Sequence, residues 1–447
     1  MRDLILFLAF VGIMPFIFKR PVVGAMAYAV VSLMNPHRLT YGFAQNFPFA
    51  LYLGVVTLAA VLISREQKKL PMTSTVLMLL LFFTWYTITT IFAQVPVGAW
   101  VDWERFAKTM LMVFITILTV RTVADAKVLA LVVALSLGFW GAKSGVFVIF
   151  SGGGEGLRGP MSSFISDNNT LALSMVTIAP LTVYVATRAR TKWIKRAAMA
   201  MTALTMLAAI GSYSRGALLG TFAMGFFLWI KSTRKFKTGL AFVLILPLVF
   251  FMMPPEWTGR MHTIQTYDED ASATGRINSW HFAINVANEF LLGGGPNVFT
   301  PHMFMLYAPE PERYYDAHSI YFQVLGEQGY IGLAIFLLMF VVTWRSGGRL
   351  IRYCRDKEEL AWALMLTRMC QVSMIGYLTA GAFLTMAYYD LIYYIIAILV
   401  CLDKVLIRAP QKDDVPPMRL AFIDRYLARR AAKKTARAAA ARPRSGA

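Results

Sequence analysis

The chain has 447 residues, of which 57% are hydrophobic and only 15% are charged. A soluble domain carries about 25% charged residues, so this composition excludes an ordinary soluble protein. Apolar runs long enough to cross about 30 Å of hydrocarbon recur along almost the whole chain. Because backbone groups must be paired in lipid and these runs do not alternate with period two, the pattern predicts an all-α polytopic membrane bundle rather than a barrel.

The formal net charge of +20 does not indicate a nucleic-acid partner. The basic residues lie in short clusters between apolar runs and in the C-terminal tail, which is the positive-inside pattern of a membrane protein. The three cysteines, Cys354, Cys370 and Cys401, show neither metal-ligand nor redox spacing. The sequence therefore predicts no disulfide framework and no metal site built on cysteine.

The apolar runs predict about twelve membrane-spanning helices. Candidate segments lie near residues 4–18, 21–35, 48–64, 71–93, 106–120, 127–150, 169–187, 197–212, 216–231, 238–253, 328–344, 362–385 and 389–406. The first two segments are short and are interrupted by Pro15 and Pro21. We expect them to form one irregular crossing, which leaves both termini in the cytoplasm; two separate crossings would place Met1 outside.

Basic loops orient the predicted bundle. They follow the third, seventh, ninth and eleventh segments and continue in the tail, with residues such as Lys68, Lys195, Arg234, Arg352 and Arg430. Alternate crossings place all these loops on one side, which the positive-inside rule makes cytoplasmic. The predicted divisions are N-terminal membrane helices, a long outer loop, C-terminal membrane helices and a basic cytoplasmic tail. Their bounds are 1–253, 254–327, 328–407 and 408–447. From about residue 417 the tail is predicted to form a basic amphipathic helix that lies on the anionic cytoplasmic leaflet.

The outer loop at 254–327 is by far the longest. A loop of this length is usually functional and carries structure of its own. Its stretch from Gly275 to Phe290 predicts a helix with apolar residues on one face, and the run from Gly293 to Pro296 ends it.

Basic residues on the outer side are few and oppose the positive-inside trend, so each needs an anionic partner. The arginines are Arg158, Arg215, Arg276 and Arg313, and Arg105 and Lys108 begin the fifth segment on the same side. Guanidinium groups match phosphate oxygens bidentately, which makes a pyrophosphate a natural ligand. The alternative for each of them is pairing with an acidic side chain or a lipid head group.

Four of the five histidines, His262, His281, His302 and His318, fall in the long loop. No two of them have close ligand spacing, so we predict no metal site. His318 is placed in the first turn of a short helix that ends near Gly329. The positive N-terminal end of a helix disfavours imidazolium, so His318 is expected to be a neutral base near pH 7. Asp316, two residues earlier, could orient it.

The run from His318 to Gly332, HSIYFQVLGEQGYIG, resembles the conserved block of the O-antigen ligase and polymerase superfamily. Three other features agree with this resemblance and occur in the same order. They are the turn SYSRG around Arg215, the helix with Arg276 and Trp280 ahead of the glycine run, and the stretch from Arg158 to Asn169. The resemblance covers roughly residues 120–405, and the N-terminal hundred residues look more like a subgroup described as O-glycosylation ligases. Ser319 departs from the family, in which many members carry asparagine at that position.

The resemblance implies a GT-C-like fold in a Gram-negative inner membrane, with the active site facing the periplasm. It implies an O-antigen ligase: an inverting glycosyltransferase without metal or other cofactor. The donor would be a glycan on undecaprenyl pyrophosphate, and the acceptor a hydroxyl of lipid A-core. Arg215 and Arg276 would clamp the pyrophosphate with help from Arg158 or Arg313, and His318 would be the general base.

Three alternatives remain. A protein O-oligosaccharyltransferase or an O-antigen polymerase would share the donor site and differ only in the acceptor. A polyprenyl-linked glycan transporter is the alternative from another class of protein. It is disfavoured because a transporter should carry ionisable residues near the middle of the bilayer, whereas here they gather at the outer edge.

Overall fold

The computed structural model describes residues 1–64, 68–151, 157–231, 236 and 271–408 of the chain. This described part is helical and contains no strand, which confirms the predicted all-α class. Its α-helices are α1 (Arg2–Lys19), α2 (Pro21–Met34), α3 (Phe49–Ile63), α4 (Ser74–Ile91), α5 (Pro96–Thr119), α6 (Val123–Ser151), α7 (Asn168–Arg188), α8 (Lys192–Gly211), α9 (Arg215–Lys231), α10 (Ala271–Glu289), α11 (Pro301–Tyr307), α12 (Ile320–Cys354), α13 (Ala361–Ala380) and α14 (Asp390–Asp403).

Five helices of the described part are long and apolar enough to cross a membrane, namely α4, α6, α7, α8 and α12. The shorter helices α2, α3 and α9 are apolar as well. The chain is therefore a helical membrane protein, and the count of twelve spans stays a prediction. The predicted segment 238–253, the loop up to residue 270 and the tail after residue 408 lie outside the described residues.

The first two helices form an antiparallel hairpin, whereas the sequence predicts one irregular crossing; how often they cross the membrane stays a prediction. Arg20 has extended backbone angles between them, which lets the chain reverse. At the far ends, the Asp3 carboxylate accepts hydrogen bonds from the backbone N–H groups of Gly42 (3.0 Å) and Ala44 (3.1 Å). The start of α1 therefore lies beside the loop that follows α2. Pro15 is accommodated within α1, whereas the break falls at Arg20 and Pro21.

The connections between helices gather at two ends of the bundle. At the basic end, Arg20 pairs with Asp125 at 3.0 Å and Lys404 donates to the Ile117 carbonyl at 2.7 Å. At the opposite end, which we call the loop end, lie α10, α11 and the starts of α7, α9 and α12. Lys68 lines a small cavity with Pro21 and Arg121, so this predicted basic loop lies at the same end; the clusters near Arg234 and Arg430 lie outside the described residues. The side of the membrane that each end faces stays a prediction.

The centre of the bundle is occupied by α7 and α14. In α7, 83% of the membrane-length window is buried, and every residue of α14 is buried. Asp390 begins α14 and accepts hydrogen bonds from the hydroxyl groups of Ser32 in α2 and Thr109 in α5. A carboxylate with two such donors can be tolerated in this apolar surrounding, and it ties three helices together near the loop end.

The long helix α12 is broken at Gly329, whose φ of 65° lies in the left-handed region. The break leaves carbonyl groups of the preceding turn without helical partners. The Gly326 carbonyl accepts from the Gly294 N–H at 2.8 Å, and the Glu327 carbonyl accepts from the Gly295 N–H at 3.0 Å. The glycine run after α10 therefore packs on the break in α12. The predicted division between loop and membrane helices at 327/328 falls inside this single bent helix.

The long loop has its own small hydrophobic core, as its length predicts. The predicted helix at 275–290 is observed as α10, from Ala271 to Glu289. Phe282 of α10 stacks on Phe304 of α11 with ring centroids 4.2 Å apart. The core also contains Ala283, Val286, Val298, Phe299, Met303 and Ala317.

The glycine contact makes a prediction about stability. Gly293 has a φ of +72°, and a Cβ placed there would lie 2.4 Å from the backbone nitrogen of Gly329. We expect Gly293→Ala to lower the free energy of unfolding by about 1–3 kcal/mol or more, since both strain and backbone displacement are required. Thermal unfolding of the purified protein in detergent measures this change.

Gly348→Ala is the control, because Gly348 lies in α12, the helix on which Gly293 packs, and a Cβ there meets nothing within 4 Å. Its effect should stay within about 1 kcal/mol and should be stabilising, as alanine is the better helix former. Equal melting temperatures for the two variants would contradict the proposed contact.

Candidate functional site

Three successive side chains of α10 bind the extended segment that leads to His318. The Asn278 amide donates to the Arg313 carbonyl (3.0 Å), the Ser279 hydroxyl to the Tyr315 carbonyl (2.8 Å), and the Trp280 indole N–H to the Ala317 carbonyl (3.0 Å). The Trp280 ring also stacks on Phe322 of α12, with centroids 4.9 Å apart. These contacts fix the register between α10 and the segment, and they bring Arg276 into the surroundings of His318.

His318 lies just before α12 rather than in its first turn. The helix begins at Ile320, and Ser319 is its N-cap residue. His318 has a φ of 42°, an uncommon left-handed conformation for a residue other than glycine. Its backbone N–H donates to the Thr385 hydroxyl at 2.8 Å. This bond holds the strained residue against the segment between α13 and α14. The Ser319 hydroxyl does not cap the helix.

The surroundings of His318 favour a neutral imidazole. Burial lowers the pKa of His318 and the guanidinium of Arg276 lowers it further, while the carboxylates of Asp316 and Asp167 oppose the shift. A lowered pKa is the direction that the expected neutral base requires, and its causes are burial and Arg276 instead of the helix dipole. The role of His318 as a base stays a prediction. Asp316 interacts with His318 as expected, but it is itself exposed. Its role as an orienting group stays a prediction.

Arg215 begins α9 directly after a tight turn at the loop end. Tyr213 in this turn has a φ of 60°, and the Asn168 amide at the start of α7 donates to the Ser212 carbonyl at 2.9 Å. Gly216 packs so closely on the end of α13 that a Cβ would lie 3.1 Å from the Ala380 carbonyl oxygen. The turn is therefore fixed to both α7 and α13.

The segment from Ala380 to Thr385 connects the two halves of the site. It contacts the Arg215 turn through Gly216, and it accepts the backbone hydrogen bond of His318 through Thr385. Arg215 and Arg276 are both half-buried. The structure thus gathers Arg215, Arg276 and His318 at the loop end of the bundle, as the sequence predicts.

Sequence reasoning did not identify Asp167 and Thr385. The Asp167 carboxylate caps α7 by accepting from the N–H groups of Asn169 (2.9 Å) and Thr170 (3.1 Å). The residue pattern before α7, an aspartate followed by polar residues, is an N-cap signature that could have indicated it. Thr385 fell at the end of a predicted membrane segment, whereas α13 ends at Ala380 and leaves Thr385 in the connecting segment.

Other predicted residues have acidic partners. Arg105 pairs with Asp102 at 3.2 Å. Lys108 pairs with Glu104, which lies one turn earlier in α5. Both cations are exposed. For Arg105 and Lys108, the structure therefore shows the alternative that the sequence left open, pairing with an acidic side chain.

The remaining two arginines lie at the edges of the site. Arg313 is exposed and pairs with Glu310 at 3.3 Å. Arg158 is exposed on the loop between α6 and α7, and the next residues of that loop line a separate lateral cavity. A direct role for either arginine at the site stays a prediction.

Of the other loop histidines, His281 and His302 are exposed and His262 lies outside the described residues. Within the described ranges, no group of three or more His, Cys, Asp or Glu side chains is placed to hold a metal ion. The site does offer a neutral imidazole that can accept a proton and two half-buried guanidinium groups that can bind an anion.

The electrostatic link between Arg276 and His318 can be measured directly. Because the guanidinium lowers the pKa of His318, Arg276→Gln should raise it and reduce the neutral fraction below pH 7. The rate at which diethyl pyrocarbonate modifies His318, followed by peptide mass spectrometry across pH, should then have its midpoint at higher pH. Arg313→Gln is the control, since Arg313 is exposed and paired with Glu310. A midpoint that is unchanged or lower in Arg276→Gln would disprove the link.

Two family models match the chain, one after the other along the sequence. Residues 1–190 match a family of unknown function, DUF5935, and residues 197–337 match the O-antigen ligase family. A comparison with curated proteins finds no match. The second match contains Arg215, Arg276, Arg313 and His318, and it supports a ligase- or polymerase-type function in O-antigen processing. Residues 197–337, about a third of the chain, are therefore similar to the O-antigen ligase family, which supports a place in the O-antigen ligase and polymerase superfamily.

Proposed function

We propose that the protein transfers a glycan from undecaprenyl pyrophosphate to a hydroxyl group of lipid A-core at the periplasmic face of the inner membrane. The observation that carries this proposal is the half-buried His318, held at its backbone by Thr385, with Arg276 close enough to lower its pKa. Arg215 lies on the other side of the segment from Ala380 to Thr385, which Gly216 contacts. A base and two guanidinium groups are the functional groups that this reaction requires.

The reaction forms a bond between the acceptor oxygen and C1 of the donor sugar. At the same time the bond between C1 and the pyrophosphate oxygen breaks, and its electron pair leaves with undecaprenyl pyrophosphate. The imidazole of His318 takes the proton of the acceptor hydroxyl. Attack from the face opposite the leaving group inverts the configuration at C1, so one step converts an α-linked donor into a β-linked product, or the reverse.

The arginines act on the leaving group. Negative charge grows on the pyrophosphate as the bond breaks, and preorganised guanidinium donors stabilise this charge in the transition state. Arg215 and Arg276 are assigned this role because both are half-buried and held by neighbouring elements. Arg158 or Arg313 is the proposed source of a third cation. In this scheme charge neutralisation comes from arginine, and the reaction is metal-independent.

The undecaprenyl chain needs an apolar path beside the bundle. Many large apolar side chains face outward from the membrane-length helices, including Leu77, Leu81, Phe139 and Leu338. The donor can therefore stay in the bilayer while its pyrophosphate reaches the loop end. We propose that the same lateral access serves the lipid acceptor.

The first test is transfer by the purified protein with an undecaprenyl-pyrophosphate-linked glycan, lipid A-core and EDTA. His318→Ala should lower kcat by about 10²- to 10⁴-fold, the usual contribution of a general base. The wild-type rate should be unchanged by EDTA. His302→Ala is the matched control, because His302 is an exposed histidine of the same loop region.

Each contrary result has a separate meaning. Full activity of His318→Ala would disprove its role as general base. Loss of activity in EDTA that added Mg²⁺ restores would disprove the metal-independent mechanism. Transfer to an acceptor protein or to a second glycan, but not to lipid A-core, would retain the donor site and disprove the proposed acceptor.

A second test concerns the shape of the cation at position 215. Arg215→Lys keeps the positive charge but loses the planar fork that binds two phosphate oxygens. We expect kcat/KM for the donor to fall about tenfold or more, which corresponds to one charge-assisted hydrogen bond. Arg190→Lys, at an exposed arginine of the basic end, should leave the rate unchanged. Equal kcat/KM values for Arg215→Lys and wild type would show that charge alone is sufficient.

A further inference from the structure

A lateral cavity of about 730 Å³ lies at the loop end, between α1, the loop after α2, α6 and the loop after α6. Its polar lining includes Arg2, Arg38 and Lys143, which come from three different elements. None of the residues that line the cavity is acidic. The cavity therefore carries positive charge that its own walls do not neutralise.

The three cations are not engaged in ion pairs with any carboxylate of the described residues. Arg2 is oriented by the Leu39 carbonyl at 3.5 Å and lies 5.6 Å from the centre of the Tyr41 ring. These neighbours position the guanidinium without cancelling its charge.

Lys143 provides the second, independent observation. It lies within α6, one of the helices long and apolar enough to cross a membrane. The helix ends eight residues later, at Ser151. At 1.5 Å per residue it is about 12 Å from the helix end. Its ammonium group is 4.5 Å from the centre of the Trp140 ring. A lysine exposed to lipid on such an apolar helix is costly unless its ammonium group reaches the membrane surface or an anion accompanies it.

The other walls of the cavity suit hydrocarbon. Ile5 and Phe139 line it with 67% and 38% of their surfaces exposed, and Met161 is 80% exposed. In a helical membrane protein such exposed apolar side chains face lipid. A ligand with one anionic end and one apolar end fits this arrangement, with the anion on the cations and the chains along Ile5 and Phe139.

We propose that this cavity binds the head group of an anionic, phosphate-bearing membrane lipid. Arg38 and Lys143 would bind the phosphate oxygens, and Arg2 would close the site from α1. Guanidinium and ammonium groups form strong charge-assisted hydrogen bonds with phosphate. The cavity shares no lining residue with the site of His318, and the inference does not depend on the proposed glycan transfer. All the lining residues fall within the region that matches the family of unknown function.

The test is lipid binding to the purified full-length protein, measured by native mass spectrometry from detergent. The probes are dioctanoyl phosphatidic acid, dioctanoylglycerol, which has the same chains without phosphate, and inorganic phosphate. We expect the wild type to bind phosphatidic acid at least tenfold more tightly than either of the other two, since only that probe satisfies both the cations and the apolar walls.

Lys143→Met and Arg38→Gln should each weaken phosphatidic acid binding about tenfold, and the double variant should weaken it further. Lys143→Arg should retain binding. Lys195→Met, at an exposed lysine of the basic end, is the matched control and should bind like the wild type. Because Lys143 is exposed, Lys143→Met should fold even if the double variant does not, and its melting temperature checks this.

Three results would overturn the proposal. Equal binding of phosphatidic acid by wild type and Lys143→Met would show that the cations are not used. Equally tight binding of dioctanoylglycerol would show that the apolar walls alone attract lipid. Inorganic phosphate bound as tightly as phosphatidic acid, and lost in the same variants, would identify a site for free phosphate instead of a lipid.

Discussion

The contact between the glycine run and the break in α12 is the constraint on which the loop end depends. The break at Gly329 exposes backbone carbonyls in a buried region, where unpaired polar groups are costly. N–H groups of Gly294 and Gly295 satisfy two of them, and the Trp85 indole N–H donates to the Gln328 carbonyl at 3.0 Å. The cost of bending the helix is thus offset by bonds that attach the loop region to the membrane helices.

This attachment determines where the candidate site lies. The half of α12 before Gly329 follows His318 directly, so its orientation sets the direction from which the imidazole is presented. α10 binds the same segment through Asn278, Ser279 and Trp280, and the Thr385 hydroxyl holds the His318 backbone. A site supported by several rigid elements loses little free energy to rearrangement when a charge develops, which is the physical basis of preorganised catalysis.

The two parts of the chain that match different families meet at this end. Arg215, Arg276 and His318 come from the part similar to O-antigen ligases, whereas Asp167, whose carboxylate acts on His318, comes from the N-terminal part. The N-terminal part also supplies the whole lateral cavity. The N-terminal part thus places the carboxylate of Asp167, the cap of α7, near the ligase-like residues.

The sequence by itself determined the helical membrane class and the helix of the long loop, and it predicted His318, Arg215 and Arg276 as the candidate site residues. Each follows from a local property: the length of an apolar run, the placement of charge, or a motif within a few residues. The carboxylate partners of Arg105, Lys108 and Arg313 lie three or four residues earlier in the chain, a spacing that the sequence itself shows, whereas only the tertiary structure decided that Arg215 and Arg276 lie half-buried. It also decided the hairpin of α1 and α2 and the roles of Asp167 and Thr385, since contacts between residues distant along the chain leave no periodic signal in the sequence.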